Sequence, residues 1–313
     1  MTHNSLASGD LIADRRFAYA KAAADEGDWS AAADVCEQAL ERAPRWAAAW
    51  FALGEAREKL GDLDAAAQAF RQALAADPSD AHGAMARLAL IGRTDPPDAL
   101  PQAYIARLFD DYAPRFDAHL TENLAYRAPA LIADALNAVA PGRRFASGLD
   151  LGCGTGLMGE TLRGRIDHLT GVDLSEAMIA KARERGVYDR LVVGGAAAQL
   201  MREPPEAFDL IIAADSLVYI GDLAPPFAAV AAALAADGLF AFSVESCEGE
   251  GFALEPTMRF AHGRGYVEAT ARAARLRSLL IRSASTRREA GADVPGLICV
   301  FERVERQTRA GDP

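Results

Sequence analysis

The feature that most constrains the fold is LDLGCGTGLMGETL, at residues 149–162. An apolar run leads into glycines at every second position, Gly152, Gly154 and Gly156, so these three positions carry no side chain. Glycine adopts the positive φ angles that a tight turn needs, and it allows a ligand to approach the backbone. The stretch therefore predicts a buried strand, a glycine turn and the start of a helix, with a small molecule lying against the turn.

The spacing of the glycines separates two classes of ligand. A nicotinamide or flavin fingerprint requires G-x-G-x-x-G, but the third glycine position counted from Gly152 is occupied by Leu157. The pattern is instead D-x-G-x-G-x-G, with Asp150 directly before the turn. These glycines expose backbone amides to a ligand that has no phosphate bridge.

A second acidic position follows about twenty residues later, in GVDLSEAMIAKAR at residues 171–183. Asp173 ends an apolar run, where a carboxylate can accept both hydroxyl groups of a ribose, as it does in dinucleotide-binding folds. Ser175 is placed to cap the next helix. Met178 has two interpretations, because its flexible side chain suits either an adenine face or ordinary core packing.

Apolar runs alternate with helical patterns over the second half of the chain. Strands are predicted near 145–151, 168–173, 191–193, 208–214, 239–244, 279–285 and 296–303. Alternation of this kind predicts an α/β fold, with a mostly parallel seven-stranded sheet covered by helices. The last two strands have no helix between them and are expected to form an antiparallel hairpin.

The N-terminal part repeats itself after 34 residues, so that Gly27-Asp28 aligns with Gly61-Asp62 and Pro44 with Pro78. A period of 34 is typical of paired helices, and the pattern resembles the tetratricopeptide repeat. Two full units and a third helix over 80–91 are expected. The predicted layout is a repeat domain at 1–92, a proline-rich linker at 93–103 and an α/β domain at 104–313, whose first helices (104–144) form a lid.

Composition excludes several classes of function. The net charge of −11 argues against a general nucleic-acid binder, which needs cations to neutralise phosphates. The four cysteines show no C-x-x-C pair and no metal-ligand spacing, so no metal is expected. The arginine-rich part at 259–309 fits either a solvated surface or an acidic partner. With no signal peptide or membrane span in the pattern, a cytoplasmic protein is expected.

Residues 145–303 resemble the class I S-adenosylmethionine-dependent methyltransferases, on the glycine turn, the acidic strand end and the terminal hairpin. The stretches YIARLFDDYAPRFDAHLTENLAYRAP and RFAHGRGY further resemble bacterial methyltransferases with an N-terminal tetratricopeptide module. The resemblance implies S-adenosylmethionine as the cofactor. One departure is the run Ala196 to Ala198 after the third strand, where many members of the family have an acidic residue for the adenine amine.

The candidate cofactor-binding residues are therefore Asp150, Gly152, Gly154, Gly156, Asp173, Leu174, Met178, Asp215, Tyr112 and Arg127. Tyr112, with Phe116 and Asp117, is a candidate for the lid, and Arg127 for pairing with the cofactor carboxylate. The alternatives are helix packing for the aromatic residues and a surface cap for Arg127.

The acceptor side is expected beyond the carboxyl ends of the strands, which places Asp215 and Tyr219 near it. The catalytic residue stays unknown, with His262, in a predicted loop, and Tyr219 as weak candidates. His262 suits a general base, and His119 has a similar claim. The alternative for each histidine is a surface residue with no role. The main prediction is methyl transfer to a small molecule or to a protein held by the repeats. The alternative is a binding or assembly protein whose methyltransferase domain no longer turns over.

Overall fold

The structure is a computed structural model, and it describes residues 7–117, 125–289 and 291–304. The chain divides into two compact units, Met1–Tyr104 and Ile105–Pro313, and each has its own hydrophobic clusters. The finer limits expected from the sequence, including the linker at 93–103, stay a prediction. Among the described residues, no helix combines the length and the apolar character needed to cross a membrane.

The first unit is built from paired helices, as the 34-residue period predicts. Its helices are α1 (Leu11–Asp25), α2 (Trp29–Arg42), α3 (Ala47–Lys59), α4 (Leu63–Ala76) and α5 (Ala84–Leu90). Gly27 and Gly61 both turn the chain with φ of 81°. Asp28 and Asp62 then cap α2 and α4, each accepting a hydrogen bond from a backbone N–H three residues on, at 3.0 and 3.1 Å. The two sequence repeats therefore begin their second helices with the same N-capping hydrogen bond.

Small residues allow these helices to pack closely. A Cβ atom added at Gly54 in α3 would lie 2.5 Å from Cε1 of Phe70, which is fully buried in α4. The helix predicted over residues 80–91 corresponds to α5. Asp80, which precedes α5, accepts hydrogen bonds from the N–H groups of Ala84 and Met85, at 2.6 and 3.0 Å.

The second unit is an α/β layer structure. Its strands are β1 (Phe145–Leu151), β2 (Ile166–Asp173), β3 (Arg190–Val193), β4 (Phe208–Ala213), β5 (Leu234–Cys247), β6 (Phe252–Glu255), β7 (Arg259–Gly263), β8 (Leu276–Ser283), β9 (Arg288–Glu289), β10 (Ala292–Asp293) and β11 (Gly296–Arg303). The main sheet has the order β3-β2-β1-β4-β5-β11-β8. Strands β1 to β5 run parallel, and β11 is antiparallel to both of its neighbours. The expected terminal hairpin is therefore confirmed.

Helices cover both faces of this sheet. The helices on the sheet are α7 (Ala128–Val139), α8 (Leu157–Leu162), α9 (Glu176–Arg185), α10 (Ala196–Arg202), α11 (Ala224–Ala233) and α12 (Arg264–Ala273), and α6 (Gln102–Tyr112) precedes them in the chain. One hydrophobic cluster includes Phe227, Phe240 and Phe242, and a second includes Phe145 and Leu136. Because the central strands of a parallel sheet are buried on both faces, β4 and the middle of β5 (residues 239–244) are mostly apolar.

Four strands were not expected from the sequence, and two of them, β6 and β7, belong to the main sheet. The segments β6 and β7 form an antiparallel pair, and β7 extends the sheet by pairing in parallel with the end of β5. The predicted loop at RFAHGRGY is therefore wrong, because Arg259–Gly263 is a strand. Short strands at a sheet edge carry only a few residues of alternating pattern, which is too little for periodicity to identify.

Candidate active site

The glycine turn joins β1 to α8 and presents bare backbone. Gly152, Gly154 and Gly156 have φ angles of 73°, 54° and 97°, all in the left-handed region that side chains disfavour. At Gly152 an added Cβ atom would also lie 2.5 Å from the Cβ atom of Ser216. Both backbone conformation and space therefore require glycine at the start of this turn.

Asp173 closes β2 beside the turn and connects it to the next helix. Its Oδ2 atom accepts a hydrogen bond from the N–H of Gly154 at 2.9 Å, and its Oδ1 atom accepts one from the N–H of Ser175 at 2.9 Å. Burial raises the pKa of Asp173 despite these hydrogen bonds. Each carboxylate oxygen can accept a second hydrogen bond, so the group is still able to bind the hydroxyls of a ligand.

Asp150 lies directly before the turn and is fully buried. Its Oδ2 atom accepts a hydrogen bond from the hydroxyl of Tyr188 at 2.7 Å. Within the described parts of the chain, its Oδ1 atom is buried and has no hydrogen-bond partner. Burial raises the pKa of Asp150 to about 7. The negative charge of Asp173 adds to this rise, and the hydrogen bond from Tyr188 opposes it. The carboxylate therefore has one unsatisfied acceptor at the edge of the turn.

Tyr188 is a site residue that sequence reasoning missed. Its ring lies over glycines on two elements, since added Cβ atoms at Gly159 and Gly171 would come within 2.6 Å and 3.0 Å of it. Gly159 lies in α8 and Gly171 in β2, outside the turn motif. Glycine inside a helix or a strand is a sequence signal of close approach by another group, but it does not reveal which side chain approaches.

The segment that follows α6 reaches the glycine turn. Asp117 accepts a hydrogen bond from the hydroxyl of Thr155 at 2.5 Å and forms an ion pair with Arg185 at 2.6 Å. The ring of Phe116 lies 3.8 Å from the position of a Cβ atom at Gly154, and Tyr112 packs edge-on against it at 5.1 Å between ring centroids. The structure thus brings these three lid candidates together beside the turn.

Other predicted cofactor residues are placed less favourably. Met178 has no exposed surface in α9, as in the core-packing interpretation, and its contact with the adenine stays a prediction. Leu174 is half-buried after β2. Arg127 is exposed and donates a hydrogen bond to the carbonyl of Ser285 at 3.2 Å, which matches the surface-cap interpretation. His119 lies outside the described residues.

A charged cluster lies at the carboxyl ends of β4 and β5. Asp215 has a strained φ of 52°, and its Oδ1 atom accepts a hydrogen bond from the hydroxyl of Ser243 at 2.6 Å. Arg287, only 4% exposed, lies 3.6 Å from the Oδ2 atom of Asp215 and donates a hydrogen bond to Glu245. The buried guanidinium is therefore neutralised by carboxylates from two strands.

Tyr219 joins this charged cluster to the aromatic residues of α6. It is buried in a short helix, Leu217–Tyr219, and packs edge-on against Phe109 at 5.7 Å between centroids. Burial raises the pKa of Tyr219, although the nearby Arg259 opposes the rise. Arg259 in turn donates a hydrogen bond to Glu289 at 2.9 Å. The phenol thus remains protonated between an aromatic wall and an ion-pair network.

His262 is not the loop histidine that the sequence predicted. It lies in β7, is fully buried, and its Nε2 atom is 2.9 Å from the carbonyl oxygen of Ile220. A carbonyl only accepts, so Nε2 carries the proton of this hydrogen bond. Burial lowers the pKa of His262. The ring is therefore a neutral core group in this structure, and its role as a base has no geometric support.

Comparison with known proteins agrees with this geometry. Residues 149–238 match the family model of the methyltransferase domain, and residues 17–81 match that of the tetratricopeptide repeat. Methyltransferase-like protein 27 of Homo sapiens is 35% identical over 111 residues, which are 35% of this chain and 45% of that protein. A TPR repeat-containing protein of Pseudomonas aeruginosa is 41% identical over 70 residues, which are 22% of this chain and 67% of that protein.

A solved structure supports the fold of the second unit. The N-methyltransferase NodS from Bradyrhizobium japonicum, in complex with S-adenosyl-L-homocysteine, is similar with a TM-score of 0.51 at 18% identity, covering 64% of this chain and 99% of that one. The second unit thus has the fold of the class I methyltransferases. The chain combines a methyltransferase domain, matched over residues 149–238, with tetratricopeptide repeats, matched over residues 17–81. It spans about half the length of the curated methyltransferases it matches, at 45% of each.

Proposed function

We propose that this protein transfers the methyl group of S-adenosylmethionine to an acceptor that is a small molecule or a protein. The observation that carries the proposal is the bare glycine turn, which lies between two carboxylates at the ends of neighbouring parallel strands. Asp150 is the penultimate residue of β1, and Asp173 ends β2. Ligands of open parallel sheets bind beyond these strand ends.

The chemistry of the site suits this cofactor. In the proposal, Asp173 accepts the ribose hydroxyls, and the unpaired Oδ1 atom of Asp150 accepts the α-ammonium group. A buried acceptor without a partner is costly, by about 1–3 kcal/mol, so a ligand that supplies a donor there is favoured. When bound, the cofactor supplies a methyl group that is already activated by the positive sulfur.

The protein's contribution to the reaction is alignment and exclusion of water. An in-line displacement at an activated carbon needs a nucleophile held close to the methyl group and in the right direction. Phe109, Phe116 and Tyr219 supply an aromatic wall between the glycine turn and the charged cluster. We place the acceptor against Tyr219 and Asp215 and assign no general base.

The repeats are proposed to select the acceptor or to bind a protein partner, because helical repeats supply extended surfaces for binding. A chain that begins at Ala103 tests this part of the proposal. It is expected to bind S-adenosylmethionine with nearly unchanged affinity, and to lose activity on a protein acceptor. Insolubility, or loss of cofactor binding, would show instead that the repeats support the fold.

A second function is favoured by one observation. Helix α10 begins at Ala196, and residues 194–198 after β3 contain no carboxylate for the adenine amine. The alternative is a binding or assembly protein whose methyltransferase domain does not turn over.

Calorimetric titration with S-adenosylmethionine, followed by a mass-spectrometric search of extracts for a product heavier by one methyl group, separates the two functions. Binding together with a methylated product supports the enzyme. Binding without any product favours the assembly protein, and absence of binding at high micromolar concentration refutes the proposed cofactor.

A further inference from the structure

We propose that Tyr188 is a positioning residue for the amino-acid end of the cofactor, acting by orienting the Asp150 carboxylate. This inference rests on the proposed function. Tyr188 donates its hydroxyl proton to Oδ2 of Asp150 at 2.7 Å. The hydrogen bond fixes one oxygen of the carboxylate, and it leaves the other, Oδ1, buried and without a partner within residues 7–117, 125–289 and 291–304.

The position of Tyr188 is set by glycines in the turn, in α8 and in β2. Added Cβ atoms at Gly156, Gly159 and Gly171 would lie 3.1, 2.6 and 3.0 Å from its side chain. These glycines belong to the cap of α8, to α8 itself and to β2. Glycines on separate elements leave room for the ring close to the backbone, and a side chain at Gly159 or Gly171 would displace it.

The groups around Asp150 make this single hydrogen bond important. Asp173 from β2 and Cys153 from the turn both face it, and Tyr126 approaches from the segment before α7. None of them supplies a positive charge. The Tyr188 hydroxyl is therefore the protein group that favours the ionised form of Asp150, whose pKa of about 7 reflects burial opposed by that hydrogen bond.

The affinity for the cofactor should therefore depend on pH, and only through the contact between Asp150 and the amino-acid end of the cofactor. An ammonium group pairs with ionised Asp150 and gains little from the protonated acid. In Tyr188→Phe the pKa of Asp150 rises, because the ionised form loses its donor, and the ring packing is retained. If the pKa rises by one unit, affinity at pH 7 falls about fivefold, and the pH midpoint of binding moves upward by the same unit.

The test compares two probes by calorimetry from pH 6 to pH 8.5. S-adenosylhomocysteine carries the amino-acid end, and 5′-methylthioadenosine lacks it. In Tyr188→Phe we expect S-adenosylhomocysteine to bind about fivefold more weakly at pH 7, with recovery at higher pH, and methylthioadenosine to bind as in the wild type. Asp150→Asn is expected to weaken S-adenosylhomocysteine binding at every pH and to remove the pH dependence.

The other outcomes are decisive. Equal weakening of both probes would show that Tyr188 only supports the glycine turn and would overturn this inference. Unchanged binding of S-adenosylhomocysteine in Tyr188→Phe would overturn it as well, while leaving the proposed function intact. Failure of the wild-type protein to bind either probe would instead refute the proposed function itself.

Discussion

The two ends of the candidate active site are assembled in different ways. The proposed cofactor end consists of Asp150, the glycine turn and Asp173, which lie within 24 residues of each other, counted from 150 to 173. The proposed acceptor end contains Asp215, Glu245, Arg259 and Arg287, from separate segments after β4, near the end of β5, in β7 and before β9. One end is thus a local motif, and the other exists only once the sheet has formed.

The two ends of the candidate site also differ in how their buried charges are compensated. At the acceptor end, Arg259 and Arg287 neutralise their carboxylate neighbours inside the protein. At the proposed cofactor end, Asp150 and Asp173 face each other, and among the described residues their hydrogen-bond donors are the Tyr188 hydroxyl and backbone N–H groups. An uncompensated pair of buried carboxylates is a stability cost that a cationic ligand offsets. The comparison therefore predicts that the two ends respond differently to substitution.

The largest effect is expected from Gly154→Val. Valine disfavours positive φ, and its branched side chain would occupy the space of the ligand, so we expect no measurable binding of S-adenosylmethionine in a folded protein. Gly142→Val is the matched control, because Gly142 has a φ of 70° with nothing near its Cβ position. It introduces similar backbone strain away from the site. Normal binding by Gly154→Val would place the cofactor elsewhere.

Asp150→Asn is expected to stabilise the protein while weakening cofactor binding. The pKa of Asp150 lies at about 7, above its ordinary value of 3.8, so the fold disfavours the ionised form. Stability of the wild type should therefore fall as pH rises from about 4 to about 7, relative to the variant. The full difference is roughly 4 kcal/mol above pH 7. Denaturant unfolding at pH 4 and pH 8 measures it, and equal stability at both pH values would contradict the burial argument.

Asp173→Ala is expected to weaken cofactor binding by about 2–4 kcal/mol, because the ribose hydroxyls lose a charged acceptor and the turn loses its anchor. Asp167→Ala is the control, since Asp167 lies at the opposite end of β2 in an exposed ion pair with Arg144. Titration calorimetry on both variants isolates the site effect. Unchanged affinity in Asp173→Ala would remove this residue from the cofactor site.

The smallest effect is expected from Tyr219→Phe, which acts at the acceptor end. The variant keeps the aromatic contact with Phe109 and loses the hydroxyl beside Arg259. We expect kcat to fall about tenfold, or about 1.4 kcal/mol, with no change in cofactor affinity. Tyr19→Phe, at a position 71% exposed in α1, is the control. A change in cofactor affinity in Tyr219→Phe would contradict the proposal that Tyr219 belongs to the acceptor end and not to the cofactor end.

The same contrast explains what could be predicted from the sequence. The glycine turn, the alternation of strands with helices and the 34-residue repeat are local patterns, and the fold class follows from them. Tyr188 was missed because its partners lie 38 residues away at Asp150 and in separate elements. His262 was misplaced in a loop because β7 is only five residues long. Residues that act through tertiary contacts leave no periodic signal in the chain.

The central claim is that the glycine turn and the end of β2 hold the cofactor. Amide hydrogen exchange of the full-length protein, with and without S-adenosylmethionine, tests it most directly. The account predicts slower exchange on binding in peptides covering residues 149–162 and 171–178, and little change in those covering 252–263. Protection confined to 252–263, or exchange at the turn that is unaffected by bound cofactor, would contradict it.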